Sequence, residues 1–280
     1  MQNCRTPTGI KIDRHLNLLF LSGQCQTFDY PNNRIQKGLL LVRDEDNLTE
    51  EGTGFGLPIL KLGHETVFPG SARSDLKEEN GIPTLRVTYD LNLVPRMTLR
   101  KRQTIRSEAF YRTKEWFSWL HRRHPSWRKT FAWGSMAIRA MAGLETRLEN
   151  TASLGSASVR YSVPPGEGTI LIEADFSELK LDGCTEIILA NEQGANHFDH
   201  YQDSSGISLA GKAIGTWNET AADRAWFIAH DHGVRFTLVR VEGARMFRGR
   251  ELLEGRLAWA GLNYVLPPDT VNFAYRIRLE

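Results

Sequence analysis

Cysteine is scarce: Cys4, Cys25 and Cys184 are the three in 280 residues. Their number is odd and their spacing wide, so they build no disulfide framework, and with no Cys-x-x-Cys pair they build no thiolate zinc knuckle. Long apolar runs are also missing. Leu18 to Leu21 and Leu39 to Val42 are among the longest, far short of the roughly 20 residues a membrane-spanning helix needs. The first residues lack the basic-then-apolar pattern of a secretion signal, and together with the cysteine usage this reads as a cytoplasmic protein. No strong excess of one charge is present: the formal net charge is +2, which marks no polyanion-binding surface over the whole molecule. No Gly-x-Ser-x-Gly elbow occurs. The glycine-rich stretch Gly52-Thr53-Gly54-Phe55-Gly56 follows an acidic polar run, precedes Pro58, and carries no Lys-Ser/Thr pair. It is therefore neither a phosphate loop nor a dinucleotide fingerprint, and its glycines instead permit irregular backbone.

What is present is mostly strand pattern. Val271, Phe273, Tyr275, Ile277 and Leu279 alternate with Asn272, Ala274, Arg276 and Arg278, the period of a half-buried strand. Ile170, Ile172, Ala174 and Phe176 alternate likewise, as do Val234, Phe236 and Leu238, and Val159 to Val163. Candidate strands in the N-terminal third are 9–13, 18–21, 39–42, 59–62 and 84–89. Turn residues punctuate these runs at short intervals, which predicts a mainly β protein, a large antiparallel β-sandwich. In size it resembles the supersandwich of galactose-mutarotase-like proteins, a likeness at the level of fold only. A single domain over 1–280 is the expectation; the alternative divides the chain into 1–150 and 151–280 at the small, polar stretch Asn150 to Ser158.

One segment departs from this. Residues 107–124 predict a helix: Ser107 as N-cap, Phe110, Thr113, Phe117 and Leu120 on one face, His121 to His124 at the C-terminal end of the dipole, and Pro125 as the stop. From Arg96 to Lys129 eleven Lys and Arg stand against Glu108 and Glu115, a local charge of +9 that leaves −7 for the remainder. With Trp116, Trp119, Trp127 and Trp133 this region reads first as a lid or a homo-oligomer interface over 107–133, and second as an anion or membrane contact. It carries no nucleic-acid-binding signature.

The densest chemistry lies from Asn191 to Gly206, directly after the apolar run Ile187 to Ala190. Glu192, Asp199 and Asp203 supply carboxylates, His197 and His200 imidazoles, and Asn191, Gln193, Asn196 and Gln202 amides, with Phe198 and Tyr201 among them. Carboxylate beside imidazole is the minimal kit for acid–base chemistry, and amides offer the paired donors and acceptors that hydroxyl-rich ligands need. The competing reading is a polar surface loop of Asx-turns. The candidate catalytic set is Glu192 or Asp199 as base, His197 or His200 as acid, and Tyr201 assisting. The candidate ligand-binding set is Asn191, Gln193, Asn196, Asp203, Arg250, Glu251, Trp259 and Tyr264, in which Trp259 and Tyr264 form a flat stacking wall. For Arg250, Glu251 and Trp259 the plainer reading is a salt-bridged strand face with the indole in the core. The expected function is isomerisation, elimination or hydrolysis of a small molecule or glycan; a non-catalytic binding module is the alternative, and an interaction protein using the basic Trp-rich helix is a third. No cofactor is expected. A divalent metal on His197, His200 and Asp199 or Asp203, or on the His-x-His of His230 and His232, is the lesser alternative, because Gly233 marks 230–232 as a hairpin tip with solvated rings.

Overall fold

The structure, a computed structural model, describes residues 8–12, 14–21, 36–99, 103–104, 144–164, 166–253 and 257–280. The predicted helix at 107–124 and most of the basic tract lie outside the described residues. Among the described residues there are twenty strands, two short 3₁₀ turns and no α-helix. The strands are β1 Thr8–Lys11, β2 Leu16–Phe20, β3 Leu40–Arg43, β4 Asp46–Asn47, β5 Gly54–Leu62, β6 Glu65–Glu79, β7 Ile82–Leu99, β8 Gln103–Thr104, β9 Leu144–Asn150 and β10 Ser156–Ser162. They continue with β11 Thr169–Asp175, β12 Cys184–Gly194, β13 His200–Asp203, β14 Ser208–Ala210, β15 Asn218–Thr220, β16 Arg224–Ala229, β17 Val234–Val239, β18 Arg245–Leu253, β19 Leu257–Leu266 and β20 Asn272–Leu279.

The chain divides into two units. The larger holds residues 1–93 and 150–280, the smaller residues 94–149. In the smaller, the end of β7 pairs with β8, Thr98 opposite Thr104. In the larger, β1 to β4 form a small sheet in sequence order, and the remaining strands follow the hydrogen-bonded order β14-β13-β16-β17-β20-β11-β10-β7-β6-β5-β12-β19-β18-β15. The pairings along this order are antiparallel. The long strand β6 joins its two halves: Val67 pairs with Leu60 of β5, and beyond register shifts at Phe68–Pro69–Ser71 the strand pairs with β7 instead.

The alternation read from sequence places the core. On β20 Phe273, Tyr275, Ile277 and Leu279 are buried and their neighbours exposed, although the strand starts at Asn272 and Val271 is 53% exposed. The inward faces of the two halves meet through aromatic rings: Tyr264 of β19 against Tyr275 of β20 at 4.9 Å, and Phe55 of β5 against Phe236 of β17 at 5.5 Å. Edge-on pairs of this kind contribute beyond the area they bury. Side-by-side pairing of the segments 251–265 and 271–279, expected from their strand pattern, does not occur. They meet instead ring to ring, face against face, because β19 pairs with β12 and β18 while β20 pairs with β11 and β17.

Candidate functional site

Strand β12 leaves the core through three polar residues, each of them buried. Burying such groups is tolerated where most of their hydrogen bonds are made, and here the Gln193 Nε2 is left without one. The Asn191 side chain accepts from the Gly56 N–H at 3.1 Å and from the Tyr275 hydroxyl at 2.7 Å, and its Nδ2 donates to the Leu189 carbonyl at 3.3 Å. The Gln193 Oε1 accepts from the Thr49 hydroxyl at 2.5 Å. The Glu192 Oε1 accepts from Asn263 Nδ2 at 2.8 Å. Burial pushes the Glu192 carboxyl up to about 7, with Asn263 and Thr53 opposing the rise and Glu251 adding to it. Asn191 and Gln193, expected to face a ligand, thus tie β12 to β5, to β20 and to the turn before β5.

The chain then turns sharply. His197 and Phe198 donate their backbone N–H groups to the Gly194 carbonyl at 3.1 and 3.0 Å. Phe198 anchors the turn by packing on Phe236, ring centroids 5.2 Å apart. With Phe198 fixed inward, His197 and Asp199 are left on the outer side, and His200 opens β13 with its side chain out and Tyr201 buried. Tyr201 donates to Asp203 at 2.7 Å and lies under the Arg248 guanidinium, 4.9 Å from the ring centroid. Asp203 also accepts from the Ser205 N–H at 2.9 Å and the Ser205 hydroxyl at 2.5 Å, which closes the β13–β14 turn. Tyr201 and Asp203 belong to the interior of that hairpin.

The β16–β17 hairpin ends in a 3₁₀ turn, His230–His232, closed by Gly233 in the left-handed conformation at φ 56°. Glycine enters that region without the penalty a Cβ brings. The turn gives His230 and His232 different partners, not the shared face a strand would have given them. His232 Nε2 lies 2.9 Å from His197 Nδ1, and the His200 and His230 rings stand edge to face at 4.5 Å. Only His230 of this pair is solvated as the sequence predicted; the His232 side chain is 19% exposed.

Four of the eight histidines therefore converge, joined by Asp199, which the sequence reading selected, and by Glu50 and Asp46, which it did not. Glu50 Oε1 lies 2.9 Å from His197 Nε2 and its Oε2 accepts from Asn196 Nδ2 at 3.0 Å. Asp46 Oδ2 lies 3.8 Å from His232 Nδ1, and Asp199 Oδ1 lies 2.6 Å from His200 Nδ1. Arg250 reaches the same turn, donating from Nη2 to the Ala195 carbonyl at 2.8 Å. Burial lowers its pKa, and the nearby Asp199 charge opposes that. Arg43 donates to the Gly233 carbonyl at 3.3 Å and lines a cavity of about 460 Å³ together with Arg14, His15, Glu167, Val234 and Glu280. The Asn191 region, the 230–232 tip and Arg250 thus meet in space.

Glu251, Trp259 and Tyr264 do not join them as a stacking wall. Trp259 is buried, and a Cβ on Gly249 would come within 2.5 Å of its indole. Tyr264 stands on the opposite face of β19, buried, donating to the Val239 carbonyl at 2.5 Å. Glu251 is half-buried opposite Trp259. Among the described residues no group of three or more His, Cys, Asp or Glu is arranged to hold a metal ion; the imidazoles pair ring to ring.

No protein-family model matches the chain, and no curated protein matches it. One solved structure, described as "Crystal Structure Analysis of HI1317", aligns with 99% of this chain and 100% of its own at 8% identity and a TM-score of 0.35, a likeness that carries no argument.

Proposed function

We propose that the protein is an enzyme acting on a hydroxyl-rich small molecule or carbohydrate by general acid–base chemistry, built on a large antiparallel β-sandwich with 107–124 as its helical insertion. The observation that carries this reading is the meeting of two carboxylate–imidazole pairs, His197 with Glu50 of the turn after β4 and His200 with Asp199, against the histidines of the 230–232 tip. Such pairs orient the ring and hold a proton at a defined nitrogen, which a general acid or base requires. His200 and Asp199 keep side-chain exposures of 38% and 45%, so this pair is open to a substrate. In this reading Asp199 and His200 exchange protons with the substrate, His197 and Glu50 form the second acid–base pair, and Asn196 and Arg250 hold polar groups. Glu192, Asn191, Gln193, Tyr201 and Asp203 support the turn from within.

A second reading, ligand binding without turnover, is favoured by a cavity of about 550 Å³ on other strands, lined by Arg86, Ser158, Arg160, Glu173, Asp175 and Asn272 among others.

The test is a proton-NMR screen of aldoses, uronates and glycosides incubated with the protein, alongside His200→Ala and Asp199→Asn. Turnover lost in both variants, with the native melting temperature retained, is the expected result. Binding without product over the whole panel, unchanged in both variants, sinks the enzymatic reading and leaves the second.

A further inference from the structure

We infer that Asp46, His232, His197 and Glu50 form a proton relay in which the two imidazoles share one bridging hydrogen and carry at most one extra proton. This deepens the acid–base reading by naming the path that recharges its second pair.

The inference follows from counting hydrogens. Glu50 is a carboxylate acceptor 2.9 Å from His197 Nε2, so that nitrogen carries the hydrogen. A neutral His197 is then bare at Nδ1. His232 Nε2 lies 2.9 Å from that atom and must donate to it. His232 Nδ1 is left facing Asp46 Oδ2 at 3.8 Å. Of the four ring nitrogens, the two that face each other have room for one hydrogen between them. The intact pair therefore holds two hydrogens when neutral and three when charged. A fourth would set two N–H groups against each other at hydrogen-bond distance, in a site where each histidine side chain is 19% exposed and neither charge is well solvated.

Transfer balances simply. A proton arriving at His232 Nδ1 from the Asp46 side makes the three-hydrogen form. His232 passes its Nε2 hydrogen to His197 Nδ1, and His197 passes its Nε2 hydrogen to Glu50. One proton has then crossed, Glu50 is protonated, and both rings are neutral with their tautomers inverted. The reverse transfer restores them, which suits a reaction that takes a proton and gives one back. Under the proposed function Glu50 is the substrate end of the relay, and Asp46, 68% exposed, is its solvent end. The charged and titratable groups around the pair are Asp46 and Glu50 on the β4 turn, Asp199 and His200 on the 195–200 turn, His230 and Asp231 on the hairpin tip, and Arg43 at Gly233.

The experiment is ¹⁵N NMR of the full chain with labelled histidine, in the absence of any substrate. The expected result is a scalar coupling across the bond between His232 Nε2 and His197 Nδ1, and uptake of a single proton by the two rings together as pH falls. Asp46→Asn should leave the coupling in place, since the bridging hydrogen lies between the two rings. His232→Gln should abolish the coupling and leave His197 titrating alone; should that variant fail to fold, His197→Gln gives the mirror result at His232. No coupling, with each ring taking a full proton independently, overturns the relay. That outcome leaves the His200–Asp199 chemistry to be judged by turnover, and a failed turnover screen leaves the relay standing.

Discussion

At the scale of single residues, the polar groups of β12 are structural before they are chemical, and their value is measurable. Asn191→Ala removes the acceptor of both the Gly56 N–H and the Tyr275 hydroxyl, deep in the interior. Two buried donors left without partners cost about 2–4 kcal/mol together, readable as a drop in the urea midpoint with an unchanged slope. Asp203 makes a different kind of contribution. Burial alone would raise its carboxyl, but hydrogen bonds from Ser205, Tyr201 and Ile207 outweigh burial and hold it below its usual 3.8. A carboxyl depressed in the folded state stabilises above its unfolded pKa, and that stability is lost as pH falls through the folded value. Asp203→Asn should therefore lower the melting temperature at pH 7 by a few degrees and make little difference near pH 2. An equal drop at both pH values would mean that packing, not ionisation, carries the effect.

At the scale of elements, the bulge in β5 decides where β12 points. Ala190 lies opposite Leu57 and Asn191 opposite Phe55, which leaves Gly56 without a partner, at φ 73°. A bulge of this type bends its strand and re-aims side chains. Here it turns the Gly56 N–H onto Asn191, and a Cβ on Gly56 would press within 2.8 Å of the Tyr161 ring. Tyr161 itself donates to the Phe55 and Gly56 carbonyls, so it has little room to give. Gly56→Ala should cost about 2–3 kcal/mol, roughly 1 of it from the left-handed backbone and the rest from the clash, measured by urea unfolding. Near-native stability would show that the bulge relaxes.

This is also the scale at which the sequence was legible. Period-two runs announce β10, β11, β17 and β20, because a strand with one buried face writes its environment into alternate residues. The glycine-rich stretch announced irregular backbone, and Gly56 is where it occurs. Asn191, Glu192 and Gln193 were read as groups facing a ligand, since a buried polar strand end looks the same in sequence as an exposed one. Their partners, Thr49, Tyr275 and Asn263, are remote in the chain. Glu50 was missed for the same reason: 147 positions separate it from His197, and its acidic neighbours made it look like plain solvated charge. The ring pairs of His197 with His232 and His200 with His230 required the meeting of two turns, which no local spacing encodes.

At the scale of the whole molecule, two buried charges set the dependence of stability on pH. Glu192 and Lys37 are 8% and 7% exposed, and both interact with the segment leading into β5, Lys37 with the Glu50 carbonyl and Glu192 with Thr53. Burial raises the Glu192 carboxyl from 4.5 to about 7. Its stabilisation is fully present below 4.5 and lost as pH rises to about 7, because the native state keeps a proton that the unfolded chain has released. Burial lowers Lys37 from 10.5 to about 8, opposed by Glu51 and Glu50, while its Nζ donates to the Glu50 carbonyl at 2.5 Å. Between about 8 and 10.5 the unfolded chain holds a proton the native state has given up, so stability rises with pH there. Both groups are thus charged inside the protein only in the interval around 7 to 8, and stability should pass through a minimum in it. Each shift corresponds to about 3 kcal/mol at full development. Urea midpoints measured from pH 5 to 10 should show the trough. Glu192→Gln should gain most over the native protein above pH 7 and little at pH 5, and Lys37→Met should gain below pH 8 and lose that advantage by pH 10. The double variant should be nearly flat across the range. A trough that persists in the double variant would place the responsible charges elsewhere. A flat native profile would mean that water reaches both side chains, in which case Glu192 becomes accessible to substrate and its place in the acid–base set returns.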